Sequence, residues 1–223
     1  LKIAHQVITA QNPTSPIEVK SLGVAHVPED RHAVGIILPF TAAETAILGY
    51  EHQENLNDGL FLLPDALNTH CAQLMQDFDV RPADPELKSN LFSGGNQQKL
   101  VLAREISSAP EILLVGQPTR GVDIGAIEFI HKQLLALRDK GCAILLVSVE
   151  LDEILSLSDR IMVMNAGQNM GILDRDEANA QKIGLMMAGM SDNQAQSAGA
   201  NSAKAKGSDR CRVHIFPGGW IFS

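Results

Sequence analysis

Apolar and polar residues alternate along the second half of the chain in blocks that predict strands and helices in turn. Continuous apolar runs at 112–115 and Ala143–Val147 predict strands that are buried on both faces. Amphipathic patterns predict helices at 93–107 and 126–140, and Gly141 suits the C-terminal cap of the second. This order predicts an α/β fold with a parallel sheet, in which ligands bind at the carboxyl ends of the strands.

The other segments carry shorter patterns. An apolar run at 22–27 predicts a strand, and residues 161–173 predict a hairpin around Asn165-Ala166-Gly167. Residues 1–21 are broken by Asn-Pro and Ser-Pro and indicate strand remnants and turns, whereas residues 29–32 indicate a charged loop. Further helices are predicted at 41–48, 64–78, 152–158 and 182–190.

The composition changes after residue 190. Residues 191–208 are rich in Ala, Ser, Asn, Gln and Gly, which is typical of a linker or a disordered segment. Trp220 lies in an isolated apolar patch beyond them, which is either a docking segment or an artefact of cloning or reading frame. We therefore predict one domain over 1–190 and a low-complexity tail over 191–223. Because the chain begins at Leu1 rather than Met, we expect it to be cut from something longer.

The composition excludes several classes of protein. Hydrophobic residues make up 45% of the chain and charged residues 20%, as in globular domains. A formal net charge of -8 argues against nonspecific binding to nucleic acid or anionic lipid. No apolar run approaches the ~20 residues of a membrane span, so a membrane role would need a partner. Three scattered cysteines without a CxxC pair predict neither a zinc site nor a disulfide framework.

The strongest candidate for chemistry is the segment Ser-Gly-Gly-Asn-Gln-Gln at 93–98. Gly94 and Gly95 let the backbone approach a ligand closely. Ser93 can cap the following helix, whose free N–H groups and positive dipole end form an anion site. A Ser-Gly-Gly tripeptide alone is more often an ordinary capped turn, so its meaning depends on the motifs around it.

The order of these motifs resembles that of the ABC ATPases. After the 93–98 segment come a buried strand, then Gly-Gln-Pro-Thr-Arg-Gly-Val-Asp at 116–123, and later Ser-Val-Glu-Leu-Asp-Glu at 148–153. In that family a signature loop precedes the Walker B strand, a D-loop follows it, and a switch segment ends the next strand. Together with Val-Pro-Glu-Asp-Arg at 27–31, the match spans about 22–190. The chain is similar to the second ATP-binding half of importers for simple sugars and nucleosides. The nucleoside branch is favoured by the sequence Phe-Ser-Gly-Gly-Asn-Gln-Gln-Lys-Leu.

This resemblance implies a fold and a set of partners. The fold is a P-loop NTPase-like ABC core with a helical signature subdomain, and its N-terminal part, with the Walker A loop, is expected to be missing. The implied cofactors are ATP and Mg²⁺, bound together with another ABC half that pairs head to tail. Membrane permease subunits, and indirectly a solute-binding protein, are the further partners, with no nucleic acid. The implied location is peripheral, at the cytoplasmic face of the cell membrane.

The family's functional positions can be carried over residue by residue. Glu29 lies where the Q-loop Gln usually sits, in the segment that couples to the membrane subunit. Asp123 matches the D-loop Asp at the interface between halves. Without the family pattern, Glu29 would be a solvated loop acid and Asp123 a helix N-cap. The signature positions, which touch the γ-phosphate of ATP held by the opposite half, are Ser93, Gly94, Gly95, Asn96 and Gln97.

Several departures predict that the chain's own ATP site is degenerate. The sequence contains no Gly-rich loop ending in Gly-Lys-Ser/Thr, which would cradle phosphates and ligate magnesium. Gly116 and Gln117 stand where the family has Asp and Glu, and Val149 stands at the switch position, usually His. Losing a general base alone costs about 10²–10⁴-fold in rate. We therefore expect no intact catalytic residue, no metal site and no ATPase activity from this chain alone.

An intact signature beside lost catalytic residues predicts that this half completes the ATP site of another half. Two alternatives stay open: a non-catalytic regulatory or interaction module with an ABC fold, and a truncated gene product without function. The acidic balance and the 27–31 motif both argue against an ABC ATPase of the DNA-repair type. The choice between a nucleoside and a sugar as substrate rests on resemblance alone, since specificity in such importers lies in the binding protein and the permease.

Overall fold

The computed structural model describes residues 2–3, 6–9, 11 and 13–190, and the predicted tail at 191–223 lies outside them. The strands are β1 (Lys2–Ile3), β2 (Gln6–Val7), β3 (Val24–Val27), β4 (Ile112–Gly116), β5 (Ala143–Val147), β6 (Arg160–Asn165) and β7 (Gln168–Asp174). The α-helices are α1 (Pro16–Ser21), α2 (Ala42–Ala46), α3 (Pro64–Asp77), α4 (Gly94–Ser107), α5 (Ile124–Asp139), α6 (Leu151–Leu157) and α7 (Ala180–Met187). A π-helical turn spans Arg31–Gly35, and 3-10 helices span Ser89–Leu91 and Arg175–Glu177.

A three-stranded parallel sheet in the order β3-β4-β5 forms the centre of the fold. Val27 pairs with Val115 and Gly116 pairs with Val147, so all three strands end at the same edge. The predicted parallel sheet is therefore confirmed. The segments that the sequence analysis selected as candidate functional sites follow the strands at this carboxyl edge.

One face of this sheet is buried more completely than the other. Leu113, Val115, Ile144 and Leu146 are buried in the main core, together with side chains of α4, α5 and α6. Their neighbours along β4 and β5 are only half-buried. The sequence predicted that these strands are buried on both faces, but among the described residues only one face of β4 and β5 is fully buried. Successive side chains of a strand point to opposite faces, and the main core takes only one set.

A helical subdomain packs beside the sheet. Its core is made by α2, by the apolar stripe of α3 and by one side of α4, which contributes Leu100 and Ala103. The adjacent residues Val101 and Leu102 belong instead to the core of the sheet. Helix α4 therefore lies between the two cores, and its N-terminus is positioned by both.

The C-terminal part of the domain follows the predicted pattern. Strands β6 and β7 form an antiparallel hairpin, and Ala166 and Gly167 at its turn have φ of 47° and 77°. Positive φ at both residues is the conformation that a two-residue hairpin loop requires. Helix α7 packs on the hairpin through the buried residues Ile183 and Met186. No helix in the described part of the chain is long and apolar enough to cross a membrane.

Two predictions from the sequence need correction. Residues 1–21 include a helix, α1, which begins with a capping box between Ser15 and Glu18 and has proline in its first turn. This signal was present in the sequence, but the short apolar pieces around it indicated only strands and turns. The predicted charged loop at 29–32 is also not a loop throughout, because a π-helical turn begins at Arg31. The Asp30 carboxylate caps this turn by accepting hydrogen bonds from two backbone amides.

Candidate functional site

The carboxyl edge of the sheet gathers the segments that follow β3, β4 and β5. Glu29 follows β3, and its backbone lies against Gly116 at the end of β4. The backbone N–H of Val149, after β5, donates to the Gln117 Oε1 at 3.3 Å. The structure therefore brings together four of the positions that the sequence selected: Glu29, Gly116, Gln117 and Val149.

A side chain at Gly116 would be tightly packed against the Glu29 segment. A Cβ added there would lie 3.0 Å from the backbone nitrogen of Glu29 and 3.2 Å from its Cα. An aspartate at this position would need the Glu29 segment to move. No group of three or more His, Cys, Asp or Glu side chains suited to a metal ion occurs in the described ranges. The residues at this edge therefore do not fit a magnesium site.

Gln117 is fixed as a structural link between strands. It has a φ of 46°, unusual for a residue other than glycine, and its side chain is buried. Its backbone N–H donates to the Val147 carbonyl at 2.7 Å, while its Oε1 accepts from Val149. A carboxamide cannot take a proton from water as a general base would. Gln117 thus holds the end of β5 against β4.

The candidate anion site is the start of α4. Ser93 is the N-cap with extended backbone, and its Oγ accepts from the Asn96 side-chain nitrogen at 2.9 Å and from the Asn96 amide at 3.4 Å. The amides of Gly94 and Gly95 lie in the first turn, where a helix offers them no partner of its own. Such a turn, with its positive dipole end, suits a phosphate group. The contact of Ser93, Gly94 and Gly95 with a partner's ATP stays a prediction.

Both glycines of this loop lie in close packing, and Gly94 meets a backbone atom. A Cβ on Gly94 would lie 2.7 Å from the Arg31 Nη2 and 2.9 Å from the Gly121 carbonyl oxygen. A Cβ on Gly95 would lie 2.9 Å from the Asp123 Oδ2. The predicted signature loop is therefore packed directly against the loop at 120–123, which carries the predicted D-loop residue.

Asp123 has two structural roles at once. Its Oδ1 accepts from the Ala126 amide at 2.8 Å and caps α5, as the simplest interpretation of the sequence expected. Its Oδ2 faces Gly95. The cap and the contact with the signature loop thus use different oxygens of one carboxylate.

Gln97 differs from the rest of the predicted signature set. Its side chain is buried, and its Nε2 donates to the Ser89 carbonyl at 3.0 Å. Its Oε1 lies 2.8 Å from the His32 Nε2 and 3.4 Å from the Arg31 Nε. The Gln97 side chain therefore connects segments inside the protein. An ATP contact by this side chain would require these bonds to open.

The sequence interpretation also missed a buried polar cluster that anchors α4. Glu105 is 2% exposed and accepts from the Arg104 Nε and the Tyr50 hydroxyl, each at 2.8 Å. Arg104 Nη1 donates to the carbonyls of Gly35 and Thr45. Burial, together with the negative charge of Glu105, raises the pKa of Tyr50 well above its ordinary value. Buried charge on α4 was not visible in its apolar periodicity, because Arg104 and Glu105 look like surface residues in a sequence.

Comparison with known proteins finds relatives that match most of this chain. No family model matches it. It is 43% identical over 194 residues to the nucleoside import ATP-binding protein NupA of Lactococcus lactis, which covers 87% of this chain and 38% of NupA. It is 40% identical to the guanosine import ATP-binding protein NupO of Bacillus subtilis and 35% identical to a ribose import ATP-binding protein RbsA of Bacillus cereus. Those matches cover 83% and 78% of this chain, but only 36% and 35% of the relatives. The chain thus spans less than two fifths of the length of these relatives.

Solved structures share the fold. The ATP-binding cassette MJ0796, in a dimeric post-hydrolysis state bound to ADP and Pi, superposes with a TM-score of 0.60 at 19% identity, covering 74% of this chain and 69% of that one. A nucleotide-free ATP-binding cassette from an ABC transporter superposes with a TM-score of 0.55 at 20% identity, covering 72% and 64%. The relatives and the shared fold together show that this chain is, over most of its length, a homologue of nucleoside and sugar import ATP-binding proteins and has the ABC ATPase fold.

Proposed function

We propose that this chain is the signature-bearing part of an ABC importer's ATP-binding subunit, and that it completes the ATP site of another ATP-binding half. The observation that carries this proposal is the start of α4. The amides of Gly94 and Gly95 lie at the positive end of a helix whose N-cap is Ser93, and both glycines pack against the 120–123 loop. This is a preformed site for phosphate that brings no catalytic base of its own.

The degenerate edge of the sheet supports the same proposal. Gly116 is closed by the Glu29 backbone and Gln117 is tied to Val149, so neither position can organise magnesium or activate water. ATP and Mg²⁺ would then be held mainly by the partner half. Ser93, Gly94 and Gly95 would bind and orient the terminal phosphate from the opposite side.

The proposed assembly follows from this division of roles. The partner is another ABC ATP-binding half in head-to-tail orientation, and one relative by fold is itself a dimer. Permease subunits would anchor the pair at the cytoplasmic face of the membrane, with a solute-binding protein acting through them. We propose a nucleoside as the imported substrate and a simple sugar as the alternative, since the nucleoside and guanosine relatives are 43% and 40% identical and the ribose relative 35%.

The test is Ser93→Arg in the complete transporter that contains this chain. Arginine at the cap places bulk and positive charge where a phosphate would lie, so we expect coupled substrate uptake and uptake-linked ATP hydrolysis to be abolished. The matched control is Ser107→Arg at the exposed C-terminal end of the same helix, which should leave uptake within about twofold of wild type, since exposed surface changes are usually small. Normal uptake by Ser93→Arg would refute the proposal.

A non-catalytic regulatory module is the second candidate, favoured by the same closed position at Gly116. In that role the chain would bind its partner but would not need Ser93 for turnover. Uptake that survives Ser93→Arg while the chain is still required for regulation would support this alternative.

A further inference from the structure

We propose that Arg31 is a positioning residue that holds the signature loop and the 120–123 loop in register, so that the segment after β3 controls the loop offered to the partner half. The consequence for turnover rests on the proposed function. The positioning itself is a property of this chain and can be tested without ATP.

The Arg31 guanidinium contacts both loops at once. Its Nη1 donates to the Arg120 carbonyl at 3.1 Å, and its Nε lies 3.4 Å from the Gln97 Oε1 in the first turns of α4. Its Nη2 occupies the space next to Gly94 that a side chain would otherwise fill. Arg31 thus touches the two segments that face each other across the start of α4.

His32 strengthens the same connection. Its Nε2 lies 2.8 Å from the Gln97 Oε1, and Gln97 in turn donates to the Ser89 carbonyl. Gln97 is 6% exposed, so these bonds lie in a region of low dielectric where they are stronger than in water. Two neighbouring residues after β3 therefore hold one buried side chain of the signature helix.

The turn that presents Arg31 is itself fixed. The Asp30 Oδ1 accepts from the amides of His32 and Ala33 at 2.9 and 3.1 Å, and the Ile36 amide donates to the Arg31 carbonyl at 2.8 Å. Burial lowers the pKa of Arg31 and the charge of Asp30 opposes that shift, yet a guanidinium stays protonated in proteins. The Glu29–Arg120 ion pair at 2.9 Å runs alongside, but it is exposed and contributes little.

An arginine suits this position better than a lysine. Its planar fork offers several donors in fixed directions, so it can bridge a backbone carbonyl and a side-chain amide simultaneously, whereas an ammonium group is a single point charge. The segment that carries Arg31 also closes Gly116 through Glu29. A displacement of this segment would therefore reach the degenerate site, the signature loop and the 120–123 loop together.

Amide hydrogen exchange of the chain tests the positioning role. In Arg31→Met, we expect the amides of Gln97, Arg120 and Val122, which bond within the two loops, to exchange at least about tenfold faster, because loops that lose their link open locally. Arg31→Lys should show a similar increase at one loop or both. The control Arg138→Met removes a guanidinium that pairs only with the neighbouring Asp139 among the described residues, and it should change neither loop. Helices α3 and α7 serve as internal references.

The outcomes separate clearly. Exchange within about twofold of wild type at both loops in Arg31→Met and Arg31→Lys would overturn the proposal. An equal increase across all helices in both variants would overturn it too, because Arg31 would then be a general stabilising residue. If Arg31→Met does not fold, Arg31→Lys, which keeps the charge, decides between these results.

Turnover in the complete transporter gives the second readout. Arg31→Met should lower kcat for ATP at least about tenfold with KM within about threefold, because nucleotide is bound mainly by the partner half while the misplaced loop affects the reacting state. If Ser93→Arg retains uptake, the proposed function is wrong, and the positioning role of Arg31 is then tested by hydrogen exchange alone. If Ser93→Arg abolishes uptake while Arg31→Met changes neither exchange nor kcat, only the positioning role is wrong.

Discussion

Single residues at the sheet edge support the proposal that this chain's own ATP site is degenerate. Gly116 is not simply a lost aspartate, because a side chain there would press against the Glu29 backbone. Gln117 is not a free replacement for glutamate, because its amide oxygen is bonded to the Val149 amide. The sequence predicted the loss of function at both positions from residue type. It could not predict the contacts that these positions make with Glu29 and Val149, since those residues are far apart in sequence.

The closure at Gly116 can be measured by stability. Gly116→Ala should lower the free energy of unfolding by about 1–3 kcal/mol, because the added methyl group overpacks against Glu29. The matched control is Gly184→Ala on α7, where an added Cβ meets no atom within 4 Å. That change should raise stability by about 0.5–1 kcal/mol, since alanine favours a helix interior over glycine. Urea unfolding of both variants checks the pair, and a Gly116→Ala protein as stable as wild type would show that the segment moves freely.

Elements with strong local signals were predicted well, whereas those that depend on packing were not. Helices α3, α4 and α5 begin and end within about two residues of their predicted bounds. Ser93 and Asp123 act as the caps that the sequence indicated. Helix α1 was missed although Ser15 and Glu18 form a capping box, because only six residues follow the cap. The half-buried second face of the sheet could not be predicted, since apolar runs do not tell which helices will cover them.

Substitutions of Asp123 can separate its capping of α5 from its negative charge next to Gly95. Asp123→Ala removes the cap of α5 and should cost about 0.5–2 kcal/mol in unfolding free energy. Asp123→Asn keeps an acceptor of similar capping strength and should be close to wild type in stability, although the charge next to Gly95 is lost. Urea unfolding followed by circular dichroism gives both values. Equal stability of the alanine and wild-type proteins would mean that α5 is held by packing alone.

At the scale of the whole molecule, charge and packing place α4 at the centre of the protein. It contributes apolar side chains to both cores, and its Arg104 and Glu105 bind the segments on either side. The predicted signature loop therefore lies at the end of a helix that both cores and a buried ion pair hold in place. In the proposed function this would favour binding of a partner's nucleotide, because a preorganised donor needs no rearrangement when charge develops on the ligand.

The same organisation leads to a prediction for the isolated chain. If the chain combines the proposed anion site with a degenerate ATP site, in which Gly116 and Gln117 replace the acidic pair, purified protein should hydrolyse no ATP above background. The double variant Gly116→Asp with Gln117→Glu restores only the acidic residues and should not produce turnover either. The first carboxylate would press against the Glu29 backbone, and the chain has no Gly-Lys-Ser/Thr loop to hold the phosphates. Phosphate release with and without vanadate measures both proteins. Vanadate-sensitive hydrolysis by the unaltered chain would show that it carries a complete site, and it would contradict a division of labour in which this chain supplies the signature loop and its partner the chemistry.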